Sequence, residues 1–196
     1  MIRRLCVFTG STRGADPALV ESAEEIGRDL ARRGIGLVYG AGGAGLMGAV
    51  AEGAMSEGGE VIGVIPRFMV TREWGRDDLT EVHVVQTMHQ RKAMMADLSD
   101  AFLALPGGLG TLEEIFEVWT WRQIGLMDKP LGFLDLPTQT GEGFWQPLLT
   151  ALRGLVDAGF VSQASLDAIV VAPTLDEALT RFAERGTSPA LLRPGS

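Results

Sequence analysis

AFLALPGGLGTLEEIFEVWTW, residues 101–121, runs from an unbroken apolar segment through a glycine-rich turn into a helical pattern. An apolar run of this length bounded by a turn reads as a strand buried on both faces. Leu112, Ile115, Phe116 and Trp119 then recur at i, i+3, i+4 and i+7, which gives a helix one buried stripe. Strand, turn and helix in that order form half of a βαβ unit, so the fold depends on whether the pattern repeats.

It does repeat. LCVFT (5–9), IGLVY (35–39), EVIGVI (60–65), VHVV (82–85), LGFLDL (131–136) and AIVVA (168–172) are further apolar, β-branched runs. Helical patterns fall between and after them, at 17–33, 46–57, 88–98, 111–124, 144–158 and 174–185. The reading is an α/β fold: Rossmann-like and doubly wound, with a mostly parallel sheet and helices on both faces. At 196 residues the chain suits one such domain. The expected domain is 1–186, followed by a flexible tail at 187–196. The longest irregular stretches are 66–80 and 137–143.

Open parallel sheets bind ligands beyond the carboxyl ends of their strands, where loops enter helices. Three such loops are rich in glycine or small hydroxyls: TGSTRG (9–14), YGAGGAGLMG (39–48) and PGGLGT (106–111). Gly40, Gly42 and Gly45 spell GxGxxG, but after the second strand, and the next strand ends in Ile65-Pro66-Arg67, without the acidic residue a dinucleotide site uses. PGGLGT is the better anion cradle. Its glycines clear Cβ atoms from backbone N–H groups, and Thr111 adds a hydroxyl at a helix N-terminus. A P-loop is excluded, because no GK[ST] follows.

Thr111-Leu112-Glu113-Glu114 also fits a capping box, in which Thr111 caps the helix and Glu114 reaches back; such a cap is worth about 1 kcal/mol. A carboxylate beside an anion nest costs repulsion. Their coexistence fits a ligand with both an anionic group and a carbon that develops positive charge, such as a ribosyl phosphate. Arg91 and Lys92, in MHQRKAMM (88–95), lie on a helix that starts at the same sheet edge. They read either as a solvated face or as a phosphate or ribose clamp, and most of the methionines around them as core.

Composition narrows the classes. The net charge of −8 opposes nucleic-acid binding, and no apolar run is long enough for a membrane span. The N-terminal MIRRLCVFTG lacks a cleavage pattern and reads as a first strand. Cys6 is the single cysteine and His83 and His89 are the only histidines, so neither a disulfide nor a metal site is expected, and a reducing, cytoplasmic setting is. No cofactor is expected. The residues alone leave three classes open: an enzyme acting at the sugar carbon of a ribosyl phosphate, a non-catalytic nucleotide- or cofactor-binding module, and an NAD(P)-binding oxidoreductase.

YGAGGAGLMGAVAEGA, MHQRKAMM and PGGLGTLEE, in that order, resemble the LOG family of cytokinin riboside 5'-monophosphate phosphoribohydrolases, often labelled lysine decarboxylases. The resemblance covers residues 4–158. It implies hydrolysis of AMP or an N6-prenylated AMP to free base and ribose 5-phosphate, and a homodimer or larger homo-oligomer. It assigns catalysis to Arg91 and Glu114. Its substrate contacts fall on Glu73, Lys92, the turn Gly108, Leu109, Gly110, Thr111, Leu112 and Glu113, and Thr120. Ser11, Gly42, Gly43, Gly45, Met88 and Gly107 complete the candidate binding set from the same loops. A decarboxylase using a pyridoxal cofactor would need a Schiff-base lysine, and the chain has only Lys92 and Lys129. Two departures stand out: Ala41 where the family commonly has glycine, and Asp135 with TGEGFW (140–145) where it has asparagine and a GYY-like loop.

Overall fold

The computed structural model describes residues 1–70 and 78–185. Its seven strands are β1 (Arg4–Phe8), β2 (Gly36–Tyr39), β3 (Val61–Pro66), β4 (Glu81–Val85), β5 (Ala101–Ala104), β6 (Leu131–Leu134) and β7 (Val170–Ala172). They form one sheet in the order β4-β3-β2-β1-β5-β6-β7, and every pair is parallel. The chain winds outward from β1 in one direction and then from β5 in the other. The switch point therefore lies between the ends of β1 and β5.

Side chains alternate along each strand and so feed two cores. Leu5, Val7, Leu37, Tyr39 and Leu103 face α1 (Pro17–Arg32), α2 (Gly45–Ser56) and the C-terminal helix Leu175–Arg185. Cys6, Phe8, Val38, Phe102 and Phe133 face α3 (Met88–Leu98), α4 (Leu109–Gln123) and α5 (Gln146–Asp157). A short α6 (Gln163–Asp167) precedes β7, and the C-terminal helix is α7. Ser162 caps α6 by accepting the Ser165 N–H. The sequence reading passed over this helix, although a serine ahead of five helix-compatible residues is its usual start signal.

Two local devices tie the sheet together. Arg4 on β1 donates through Nε and Nη2 to the Glu60 carboxylate at 2.8 and 2.7 Å, reaching over Gly36 on the intervening β2. A Cβ at Gly36 would overlap Glu60 Oε2. At the other end, the outer strand β7 has its Val171 carbonyl covered by Arg181 Nη1 of α7 at 2.5 Å.

The irregular stretch 137–143 closes on itself through a bridge between Pro137 and Gly143. Asp135 organises it: the buried carboxylate accepts the Trp145 N–H at 2.7 Å and the Gln146 amide, at the start of α5. The departure at 135 thus serves the loop and the α5 N-terminus. Of the stretch 66–80, Arg67–Met69 form a 3-10 turn, and 71–77 lie outside the described residues, as does the tail 187–196.

Candidate active site

Because all seven strands are parallel, their loops gather at one edge. There the β1 and β5 loops interlock, with Gly10 N and Thr9 Oγ1 both donating to the Pro106 carbonyl at 3.1 and 2.9 Å. Gly10 in turn accepts from Leu46 N and Met47 N at the start of α2, at 3.0 and 3.1 Å. Three sequence-distant loops thus become one floor.

Helix ends show where an anion could sit. Asp16 caps α1, Thr87 caps α3 and Ser162 caps α6 by side-chain hydrogen bonds. α2, α4 and α5 have no side-chain cap, and of these α2 and α4 begin in the glycine loops, at Ala44 and Gly108. First-turn N–H groups are the ones a helix leaves without intrahelical acceptors, and the dipole makes that end positive; in α2 Leu46 and Met47 already give theirs to Gly10, which leaves the start of α4 as the candidate anion site.

The capping box is corrected here. α4 begins at Leu109, two residues earlier than the pattern of apolar positions gave, because Gly107 and Gly108 let the chain turn sooner. Thr111 is therefore inside the first turn and is no cap. It is 2% exposed, its Oγ1 has no hydrogen-bond partner, and it sits where a Cβ at Gly107 would be. Glu114, one helical turn further on, does not occupy the third helical position that a capping box uses.

Arg91 is the most constrained member of the site. It is 5% exposed, and its Nε and Nη2 donate to the Val64 and Gly40 carbonyls, each at 3.1 Å. A Cβ at Gly40 would collide with Nη2, so this glycine clears the guanidinium's path. Nη1 faces Glu114 Oε1 at 3.9 Å and Met88 Sδ at 4.0 Å, and the Glu114 side chain is 13% exposed. Beneath the pair, burial first and the Glu114 charge second push the Cys6 thiol well above its usual range. Cys6 is a core residue and no nucleophile.

The structure brings Arg91, Met88, Glu114, Gly107, Gly108, Leu109, Gly110 and Thr111 to this edge. Gly42 packs against Met47 on the same floor, while Ser11, Gly43 and Gly45 line an adjoining cavity of about 520 Å³ on the α1–α2 side. Three candidates stand apart. Leu112 packs into the core between the sheet and α4. Thr120 is exposed, about 9 Å along the helix from Glu114 at 1.5 Å per residue, and gives its hydroxyl to the Phe116 carbonyl. Lys92 is held by Glu113 at 2.5 Å and Glu117 at 2.8 Å. Glu73 lies outside the described residues. The sequence reading missed Glu117 and the backbone anchors Gly40 and Val64; only the i, i+4 spacing of Glu113 and Glu117 was visible beforehand.

A more apolar cavity of about 500 Å³, lined by Trp119, Met127 and Ser165 among others, lies at the far end of α4. It is at the opposite edge of the sheet from the glycine loops. Among the described residues, no group of three or more His, Cys, Asp or Glu side chains is arranged to hold a metal ion.

Fold and site together define a Rossmann-like α/β protein with a guanidinium–carboxylate pair beside an open helix N-terminus. The chain belongs to the LOG family of cytokinin riboside 5'-monophosphate phosphoribohydrolases. A family model described as "possible lysine decarboxylase" matches residues 47–182. The chain is 44% identical to cytokinin riboside 5'-monophosphate phosphoribohydrolase LOG3 of Arabidopsis thaliana, over 93% of this chain and 82% of that one. It is 45% identical to the probable phosphoribohydrolase LOGL2 of Oryza sativa subsp. japonica, over 93% of this chain and 72% of that one. Among solved structures it is similar to the molybdenum cofactor binding protein of Rippkaea orientalis, with a TM-score of 0.68, 20% identity and 95% and 99% of the two chains covered. The molybdenum cofactor carrier protein of Chlamydomonas reinhardtii gives a TM-score of 0.67 at 21% identity, over 96% and 100%. At those identities the likeness is one of fold.

Proposed function

We propose that this chain hydrolyses the N-glycosidic bond of a nucleoside 5'-monophosphate, AMP or an N6-prenylated AMP of the cytokinin type, to free base and ribose 5-phosphate. The observation that carries the reading is the buried Arg91 guanidinium facing Glu114 beside the uncapped start of α4. It stands in a chain 44% identical to an enzyme named for this reaction.

The chemistry follows from the positions. As the bond between C1' and the base nitrogen breaks, positive charge spreads over the anomeric carbon and ring oxygen. The Glu114 carboxylate stabilises that charge and orients the attacking water, whose hydroxyl goes to C1' and whose proton goes to the base. An acid–base group in this role contributes about 10²–10⁴-fold. Arg91, fixed by two carbonyls, has Nη1 directed at the site, where it can hold the ribose or orient the Glu114 carboxylate. The 5'-phosphate takes the first-turn N–H groups of α4.

A lysine decarboxylase of the pyridoxal type fits these residues less well. Lys92 is clamped between two carboxylates, and Lys129 Nζ donates to the Ala96 carbonyl at 2.7 Å, so neither stands ready as a Schiff-base amine.

The reading includes a single domain over 1–186 that works in the cytoplasm as a homodimer or larger homo-oligomer. In its support, the chain carries a net charge of −8 and one buried cysteine, and no helix among the described residues is long and apolar enough to cross a membrane. Exposed Phe68, after β3, and Leu109, at the glycine turn, give the carboxyl edge an apolar rim suited to self-association.

Incubation with AMP and with isopentenyladenosine monophosphate, followed by chromatography for free base, tests the activity; release from no nucleoside monophosphate overturns it. Tight retention of nucleotide without turnover would favour a binding module instead. Sedimentation equilibrium tests the assembly, and a monomer at micromolar concentration overturns that part.

A further inference from the structure

Arg91 and Lys92 are neighbours on α3, and Glu113 and Glu114 are neighbours on α4. The two helices therefore meet through two crossed pairs: Lys92 with Glu113, and Arg91 with Glu114. The first pair is closed and the second is open. Lys92 Nζ lies 2.5 Å from Glu113 Oε1 and 2.8 Å from Glu117 Oε2, with its side chain 8% exposed. Glu113 and Glu117 are one turn apart on the same helix face. One ammonium thus grips the second and third turns of α4.

Arg91 is anchored on the other side, to the Val64 and Gly40 carbonyls of the sheet edge. The 3.9 Å between Arg91 Nη1 and Glu114 Oε1 exceeds hydrogen-bond reach, and where the Glu114 backbone stands relative to Arg91 depends on how α4 is held against α3. We propose that Lys92 is a positioning residue for the reaction: by clamping Glu113 and Glu117 it fixes α4, and through it Glu114, opposite Arg91. This rests on the phosphoribohydrolase reading, but departs from the role the family resemblance gives Lys92, that of a substrate contact.

Two physical points favour the clamp over a phosphate ligand. An ammonium has three donors; here one goes to Glu113, and Nζ also stands 2.8 Å from Glu117 Oε2 in an ion pair. A phosphate entering to take another donor would approach two like charges. Burial works against the Lys92 charge, yet the bonds to Glu113 and Glu117 outweigh it and hold its pKa above the ordinary lysine value. The charge belongs to the helix pair before any ligand arrives.

The test measures base release from AMP, giving kcat and KM, and the calorimetric affinity for ribose 5-phosphate. It uses the wild type, Lys92→Met, Lys92→Arg, Glu113→Gln/Glu117→Gln, and the triple variant that combines the last with Lys92→Met. Loss of positioning predicts kcat down about 10- to 100-fold in Lys92→Met, since a displacement near 1 Å costs on that order. Affinity for ribose 5-phosphate should change less than threefold. Lys92→Arg should recover most of kcat. The triple variant should be no worse than the double, because the clamp is already open there.

Affinity for ribose 5-phosphate falling tenfold or more in Lys92→Met, with kcat kept, makes Lys92 a phosphate ligand and overturns the proposal. Losses that multiply in the triple variant overturn it as well. Absence of base release by the wild type overturns the phosphoribohydrolase reading itself, which separates that failure from a failure of the clamp. Thermal unfolding of each variant, checked alongside, keeps misfolding from passing as lost positioning.

Discussion

Arg91 Nη1 and Glu114 Oε1 face each other at 3.9 Å, within ion-pair range and beyond the reach of a hydrogen bond. The guanidinium is tied to backbone carbonyls of two other segments, whereas Glu114 rides on the first turns of α4. Substitutions at the two positions should therefore fail in different ways.

Glu114→Gln keeps shape and removes charge. Since Thr111 and Glu114 form no capping box, no helix cap is lost. Base release should drop by about 10²–10⁴-fold while the unfolding midpoint stays nearly constant. Parallel measurement of turnover and thermal unfolding checks this, and a proportional fall in both would return Glu114 to a structural role.

Arg91→Met should lose both. It strands the Val64 and Gly40 carbonyls, which now accept charge-assisted bonds, at a cost of about 2–3 kcal/mol. Urea unfolding of the variant gives that figure directly.

The glycines of PGGLGT separate by the same logic. A Cβ at Gly107 would overlap the buried Thr111 hydroxyl, so Gly107→Ala should destabilise the chain. A Cβ at Gly108 meets nothing within 4 Å. Gly108→Ala should therefore leave unfolding unchanged, yet intrude on an anion at the α4 N-terminus and raise KM for AMP roughly tenfold, about 1.4 kcal/mol. Unchanged KM would argue against a phosphate there.

Ala41 has a φ of 62°, a left-handed conformation that costs a non-glycine residue about 1–2 kcal/mol. Its methyl packs where a Cβ at Gly63 would be. Ala41→Gly relieves the backbone but forfeits a buried methyl, about 0.8 kcal/mol, and adds about 0.4–1 kcal/mol of unfolded-chain freedom. The net change should stay within about 1 kcal/mol. Ala41→Val adds bulk against Gly63 to the same backbone strain and should destabilise by more than about 2 kcal/mol. Chemical denaturation of both variants tests the pair.

Arg4 hydrogen-bonds hold the Glu60 carboxyl below its ordinary range. A lowered carboxylate contributes stability above the unfolded pKa, near 4.3, and that contribution is lost as pH falls through the lower folded value. The unfolding midpoint should thus fall below about pH 4, and Glu60→Gln should flatten that limb. Both partners are over a third exposed, so the pair is worth less than about 1 kcal/mol.

The strands and the main helices were legible because a parallel sheet buried on both faces writes itself as unbroken apolar runs. The start of α4 was misjudged by two residues: apolar spacing marks the buried stripe, while the chain actually turns at Gly108. Arg91 was visible as half of a basic pair, but its anchors lie 27 and 51 residues away in sequence, on elements whose order in the sheet no local pattern reveals. Lys92 read as the other half of that pair, and folding gave it two carboxylates. What escapes local reading here is which charges neutralise each other and which are left for a ligand.

β7 ends the sheet, and Arg181 lays its guanidinium over the Val171 carbonyl there. A second molecule arriving to extend the sheet would find a charged donor where it needs a bare acceptor. At crowded concentrations this margin resists the edge-to-edge pairing by which sheets stack into fibres.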